Sequence, residues 1–288
     1  MIDFTKIFSG RFLKYFFGTG GSVIAFLLLG KNMLEMDAYT SIKLGIFIAI
    51  VILVIRFLWY FVKDVAHSFH NLYVESIWGD AIVVLKDAYA DVHYLRNRDF
   101  TDQEFQKTMT GMCDKLKQIF DKKTKGNCSV SIKVPVSMDN NLQNLVLRNL
   151  CRDSKHLFRN TEQYAQTSHT IIGNTPYLEI VRSITKNSNK LAYVNNDIRS
   201  NKDYANTSRE CYENGVLPYQ SELVYPIRTI RRERRNQEMC GFLCVDCNKK
   251  NAFKETKYDI PMIEGVVDGI YDVILKRITV NQQPNQDE

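Results

Sequence analysis

A chain of 288 residues, 45% of them hydrophobic and with a net charge of +6, is long enough for one ordinary domain plus an additional module. Its seven cysteines (113, 128, 151, 211, 240, 244 and 247) are an odd number spread through strand- and helix-like sequence. That argues against a disulfide framework and fits apolar packing in a reducing compartment, while the basic excess suits an anionic membrane face and does not by itself mark a nucleic-acid binder.

Residues 1–9 are a short amphipathic lead-in with Phe4, Ile7 and Phe8. The two most apolar stretches follow: 15–30, YFFGTGGSVIAFLLLG, and 44–62, LGIFIAIVILVIRFLWYFV. A helix needs about 20 mostly apolar residues to cross a bilayer core. The second stretch nearly meets that length with Arg56 as its only charge, and Phe12 and Leu13 extend the first past a snorkelling Lys14. The connector between them is short and polar, so residues 1–63 are expected to form a two-helix transmembrane hairpin. The alternative is a buried hairpin of a soluble protein. Lys6, Arg11 and Lys14 precede the first span, and Arg56 and Lys63 close the second, against Lys31 and Lys43 in the connector. The positive-inside rule then puts both termini in the cytoplasm, with Trp59 and Tyr60 as interfacial anchors. Gly18, Gly20 and Gly21 permit close helix approach, and Lys43 and Arg56 would perturb the bilayer if the spans assembled.

The helical pattern continues as a stalk over residues 64–100. Trp78, Leu85 and Val92 recur every seven residues, with Ile82, Tyr89 and Leu95 between them. Such a stripe either packs on its own domain or dimerises with a second copy. Thr101 and Glu104 form a capping box that starts a helix with Phe105, Met109, Met112, Leu116 and Ile119 on its apolar face, ending near Gly126. The period then changes. Cys128, Val130, Ile132, Val134 and Val136 alternate with Ser129, Ser131, Lys133 and Pro135, a half-buried strand with its proline toward an edge. Residues 145–153 read as a second strand. A helix begins at Asn174-Thr-Pro176, a short strand covers 191–194, and 195–208 is a polar loop or short helix. Strands at 222–230 and 238–246 flank an arginine-rich turn, Pro261 opens a last amphipathic helix, and 281–288 is a disordered tail. Helices and strands in this order indicate an α+β domain over residues 101–280.

Residues 221–247, SELVYPIRTI…EMCGFLCVDC, resemble the late signature of GAF domains: a strand with an apolar-Pro-Ile step, a turn, then Gly-Phe-Leu-x-Val-Asp. Asn248, Lys249 and Phe253 are similar to the asparagine-lysine-phenylalanine part of a motif in a subset of that family. The motif continues with an acidic pair that forms a structural salt bridge, but here Lys257 and Tyr258 stand in those places and Asp259 is the nearest acid. The resemblance implies a central antiparallel sheet, terminal helices together on one face and often dimerising, and a pocket on the other face closed by segments 195–208 and 160–176. Arg152, Asn195, Asp197, Tyr204 and Asn206 are the candidate ligand contacts on that basis.

Little argues for catalysis. Cys240-x3-Cys244-x2-Cys247 has the spacing of a cluster-binding loop, but in a strand 240 and 244 share a face and 247 points away. His67 and His70 share a helix face without a third ligand, so no metal or cofactor is expected. Arg231, Arg232, Arg234 and Arg235 form either a solvated turn or a contact for phosphate, nucleic acid or anionic lipid. No enzymatic output module is visible beside the GAF-like domain, which leaves the hairpin as a candidate output. Two spans with a compact cytosolic domain are similar in architecture to membrane effectors of bacterial antiphage systems, triggered by a nucleotide or a regulatory protein at the inner membrane. The alternative is a receptor or scaffold with a passive anchor.

Overall fold

The computed structural model describes residues 38–136, 145–186, 192–228, 239–254 and 258–280. The first apolar stretch with Gly18, Gly20 and Gly21, the 231–235 arginine cluster and the 281–288 tail lie outside the described residues. The chain divides into two compact units, Met1–Tyr73 and Val74–Glu288.

Helix α1, Ala38–Arg96, supplies the described part of the first unit. It is long and apolar enough to cross a membrane. Its most apolar 18 residues have a mean hydropathy of 2.5, and only 6% of them are buried. Phe47, Ile50, Ile55, Trp59, Phe61 and Val62 are exposed along the helix. Arg56 and Lys43 are exposed on it too, with the Lys43 ammonium 4.2 Å from the centre of the Tyr39 ring. The described residues thus contain one such helix. The second span and the hairpin topology rest on residues outside them.

The second unit is an α+β fold around a six-stranded antiparallel sheet. In chain order its elements are α2 (Asp102–Thr124), β1 (Cys128–Pro135), β2 (Val146–Arg152), a 3-10 turn (Ser154–Arg159), α3 (Glu162–Gln166), β3 (His169–Thr170), α4 (Thr175–Thr185), β4 (Tyr193–Asn195), β5 (Ser221–Ile227), β6 (Gly241–Cys247) and α5 (Asp259–Val280). The strand order is β3-β2-β1-β6-β5-β4. One layer holds α2, α5 and the later turns of α1 against Val130, Ile132, Leu223, Leu243 and Val245 of the sheet. The other layer holds α4 and the β4–β5 connection against Val224, Phe242 and Cys244, with the Tyr177 and Phe242 rings 4.7 Å apart.

Local chemistry explains the boundaries. Thr101 accepts from the Glu104 amide at 3.2 Å while the Glu104 carboxylate takes the Thr101 amide at 2.8 Å, closing the capping box of α2. The left-handed residue at its other end is Lys125 (φ 52°), where the sequence suggested Gly126. Gly126 is needed for proximity instead, since a Cβ there would lie 2.7 Å from Cys247 Sγ. Pro135 does not mark an edge: β1 is an interior strand, and the proline is tolerated as its last residue. Pro226 in β5 lies beyond Val224, the last residue that β4 pairs, so its missing N–H leaves no ladder bond broken. Two further expectations change. All eight residues of β1 are buried, so the strand is covered on both faces. Leu85, Val92 and Leu95 turn into the domain's own core, with Ala81 and Ala88, so the seven-residue stripe packs at home and Ile82 is the member left exposed.

Candidate functional site

On the second face of the sheet the alternating residues of the inner strands are polar. Ser131 stands opposite Cys244, and Asp246 stands between Ser129 on one side and Glu222 on the other. Strand pairing in register therefore gathers Ser129, Ser131, Cys244, Asp246 and Glu222 on one surface, and alternation along β1 adds Lys133. Two backbone features act at Lys133. The β1–β2 register shifts between Ile132 and Lys133, which leaves Leu150 of β2 as a bulge. Gly241 lets β6 come close, since a Cβ there would lie 2.4 Å from the Lys133 carbonyl oxygen.

The β4–β5 connection covers this floor. Asn206 donates through Nδ2 to the Tyr204 hydroxyl at 2.8 Å and the Tyr219 hydroxyl at 3.0 Å, while its Oδ1 caps the following turn at Ser208. Between floor and cover lies a cavity of about 10 Å³, room for about one water molecule, with Lys133, Arg152, Arg159, Tyr164, Glu222 and Asp246 among its walls.

The charges inside are unevenly matched. Arg159 donates to Asp246 at 3.1 Å and to the Tyr212 hydroxyl at 2.9 Å. Despite the cost of burial, Asp246 and the flanking Tyr212 and Tyr219 raise its pKa. Among the described residues Arg152, 2% exposed, bonds to neutral groups, Asn160 Oδ1 at 3.1 Å and Ser129 Oγ at 3.2 Å. Lys133 lies between the Tyr177 and Tyr164 rings, its ammonium 5.4 and 5.6 Å from their centres. Burial, and then Asp246, push the Glu222 carboxyl up to about 8. Among the described residues, Glu222 Oε1 is buried without a hydrogen-bond partner, and the Tyr164 hydroxyl interacts with the Lys133 ammonium. His169, beside Tyr164, is driven down to about 4 by burial and by Lys133, so the ring is neutral near pH 7.

Of the residues the sequence singled out, Arg152 and Asn206 line the cavity, and Tyr204 supports it from behind. Asn195 and Asp197 do not reach it. Asn195 Oδ1 accepts from the Asp197 amide at 3.0 Å and Asp197 pairs with Lys250 at 2.7 Å, which makes them turn and surface residues. Sequence reasoning missed Lys133, Glu222, Asp246, Arg159 and Tyr164. The first three were visible as polar positions inside strand patterns; Arg159 and Tyr164 sit in a 3-10 turn and a five-residue helix that leave no periodic signal. The cysteine triplet does not converge, although not by the expected pairing. β6 begins only at Gly241, so Cys240 and Cys247 lie in the helical layer and Cys244 alone faces the pocket. No group of three metal-ligating side chains occurs among the described residues.

Asn174 fastens the cover. It donates to the Thr170 carbonyl at 2.6 Å and to Thr207 Oγ1 at 2.9 Å, and accepts from the Thr207 amide at 3.2 Å. Thr175 adds a backbone bond to the Ala205 carbonyl at 3.0 Å. Asn174→Ala is expected to cost about 1–3 kcal/mol, because it leaves buried partners unpaired. It should speed amide exchange at 204–208 while β1 and β6 stay protected, which hydrogen-exchange mass spectrometry reads.

No protein-family model and no curated protein sequence matches the chain. Solved structures do resemble it. One is the GAF domain of an Acinetobacter phosphoenolpyruvate-protein phosphotransferase (14% identity, 69% of this chain and 98% of that one, TM-score 0.41). Another is a type II free methionine-R-sulfoxide reductase from Thermoplasma acidophilum (20% identity, 61% and 95%, TM-score 0.39). A third is the free methionine-R-sulfoxide reductase of Neisseria meningitidis (12% identity, 69% and 93%, TM-score 0.38).

Proposed function

We propose that this chain is a membrane-anchored sensor without catalytic activity. A GAF-like domain takes a small ligand between its sheet and the β4–β5 connection, and a two-span hairpin holds the chain in a bacterial inner membrane with both termini cytoplasmic. The observation that carries the reading is the polar pocket itself. Buried charged groups are costly and are usually either paired or functional, and here five charged side chains, three of them (Lys133, Arg152 and Glu222) buried, line one small space under a cover fastened by a few hydrogen bonds. The anchor rests on the apolar exposure of α1 around Phe47–Val62 positions and on the composition of residues 15–30. The full-length chain is expected to stay with membranes through a carbonate wash and to need detergent for extraction. Recovery in the soluble fraction without detergent overturns the anchor.

One observation favours a second step, in which the hairpin is also the output, as in bacterial antiphage defence. Arg56 is exposed on an otherwise apolar stretch, and a guanidinium in a lipid-facing segment is costly unless helices assemble around it. Expression in bacteria with a potential-sensitive dye is expected to depolarise the membrane, and Arg56→Leu at equal membrane abundance should abolish the effect. Depolarisation that persists in Arg56→Leu, or is absent in the parent, leaves the receptor with a passive anchor.

A further inference from the structure

The structure assigns a ligand class to this pocket: we propose that it is a receptor for a small oxyanion, a carboxylate or phosphate group, held by Lys133 and Arg152 from the sheet and by the Tyr164 hydroxyl. The inference rests on the pocket reading above and adds the charge of what enters it.

Three cations, Lys133, Arg152 and Arg159, line the space. Asp246 is committed to Arg159. Among the described residues, neither Lys133 nor Arg152 has a carboxylate within ion-pair distance, although both are at least nine-tenths buried. A buried cation without a counter-charge carries a penalty of several kcal/mol, which an incoming anion relieves. Unused hydrogen-bond capacity points the same way. Glu222 Oε1 borders the cavity without a partner, and the Tyr164 hydroxyl, which borders it too, interacts there with the Lys133 ammonium. A protonated Glu222 can donate there, whereas an ionised one would repel. Tyr177 and Tyr164 flank the Lys133 ammonium and hold it out of bulk water.

The present space holds about one water, so an oxyanion enters only as the cover moves. Asn206, Ser208 and Tyr219, the cavity-lining residues of the β4–β5 connection, are the groups that must shift. Ligand arrival is thereby coupled to the Asn174–Thr207 fastening, which is the movement a sensor needs.

The test uses the full-length chain in detergent at fixed ionic strength. Sodium acetate and sodium phosphate are titrated against sodium chloride and neutral acetamide, and thermal midpoint and calorimetric heat are followed. Acetate or phosphate is expected to bind saturably and raise the midpoint, and which of them binds identifies the source of the oxyanion. Lys133→Met should weaken that binding by about tenfold or more, the scale of one charged hydrogen bond, while leaving the ligand-free midpoint equal or higher. Tyr164→Phe, which keeps the ring, is expected to weaken it about three- to tenfold and serves if Lys133→Met does not fold. Binding should also fade above pH 8. The titratable groups facing Glu222 are Lys133 of β1, Asp246 and Cys244 of β6 (the thiol pushed up to about 11 by burial), Tyr193 of β4, Tyr177 of α4, and Tyr204 and Tyr219 of the cover. The tyrosines stay protonated there, so Glu222 is the group that ionises in that range. Unchanged affinity in both variants overturns the proposal, as does acetamide binding as well as acetate. Acetamide binding without acetate removes the anion and leaves the pocket standing; no binding by any probe removes both.

Discussion

Asp259→Ala is expected to destabilise the second unit by about 3–5 kcal/mol, the scale for removing one partner of a buried ion pair. Asp259 is 1% exposed and opens α5, where a carboxylate also meets the positive end of the helix dipole. Its Oδ2 takes the Lys123 ammonium and the Lys254 amide, the latter at 2.9 Å. Lys123, from the last turn of α2, lies 5.8 and 5.9 Å from the centres of the Phe120 and Phe253 rings and also donates to the Ala252 carbonyl at 3.2 Å. One ion pair therefore ties together the end of α2, the segment after β6 and the start of α5. Alanine would strand Lys123 among aromatic rings. The double replacement Lys123→Met with Asp259→Leu should cost less than Asp259→Ala alone, because no charge is left behind. Urea unfolding followed by far-ultraviolet circular dichroism decides it. A loss below 1 kcal/mol, or a double variant worse than the single one, would mean that the pair does not hold these elements together.

Glu222→Gln is expected to stabilise the protein, by an amount that grows with pH. The carboxyl titrates at about 8 when folded against about 4.5 when unfolded, because burial and Asp246 disfavour its charge. Between those values the unfolded chain releases a proton that the folded one keeps, so stability falls as pH rises from 4.5 to 8 and is level above. At 1.4 kcal/mol per unit, the penalty at pH 7 is on the order of 3 kcal/mol. His169 acts in the opposite sense. With its folded value lowered to about 4, its contribution is fully present above 6.5 and is lost as pH falls toward 4. These two slopes offset each other between about 4.5 and 6.5, and of the two the Glu222 slope alone continues from 6.5 to 8. Glutamine keeps the shape and removes one slope. The stability difference between variant and parent should therefore widen from pH 4.5 to 8 and then hold constant. Parallel curves would show that Glu222 is ionised in the folded state.

The layered fold was legible because its helices and strands obey simple periods. Met109, Met112 and Leu116 of α2 and Ile263, Val266, Val267 and Ile270 of α5 are all fully buried, as their spacing implies. The salt bridge of the GAF-like motif was in doubt from spacing alone. In the structure Asp259, the nearest acid, pairs with Lys123 of α2 and accepts from the Lys254 amide. The pocket was harder to read. Polar alternation in β1 looked like a solvated face, and the β4–β5 connection, which has no period, together with Tyr164 of α3 and Tyr177 of α4 turns that face into an interior. Asn195 and Asp197 were credible contacts by type, yet such residues satisfy backbone turns as readily as ligands. Trp78, Leu85 and Val92 carried a real stripe, and sequence spacing cannot tell an intramolecular partner from an intermolecular one.

The two outermost strands of the sheet are very short, with β3 two residues long and β4 three. An edge that brief offers almost no free main-chain donors or acceptors to a neighbour's strand. Copies of the domain brought close together are thus protected from pairing edge to edge into a continuous ribbon.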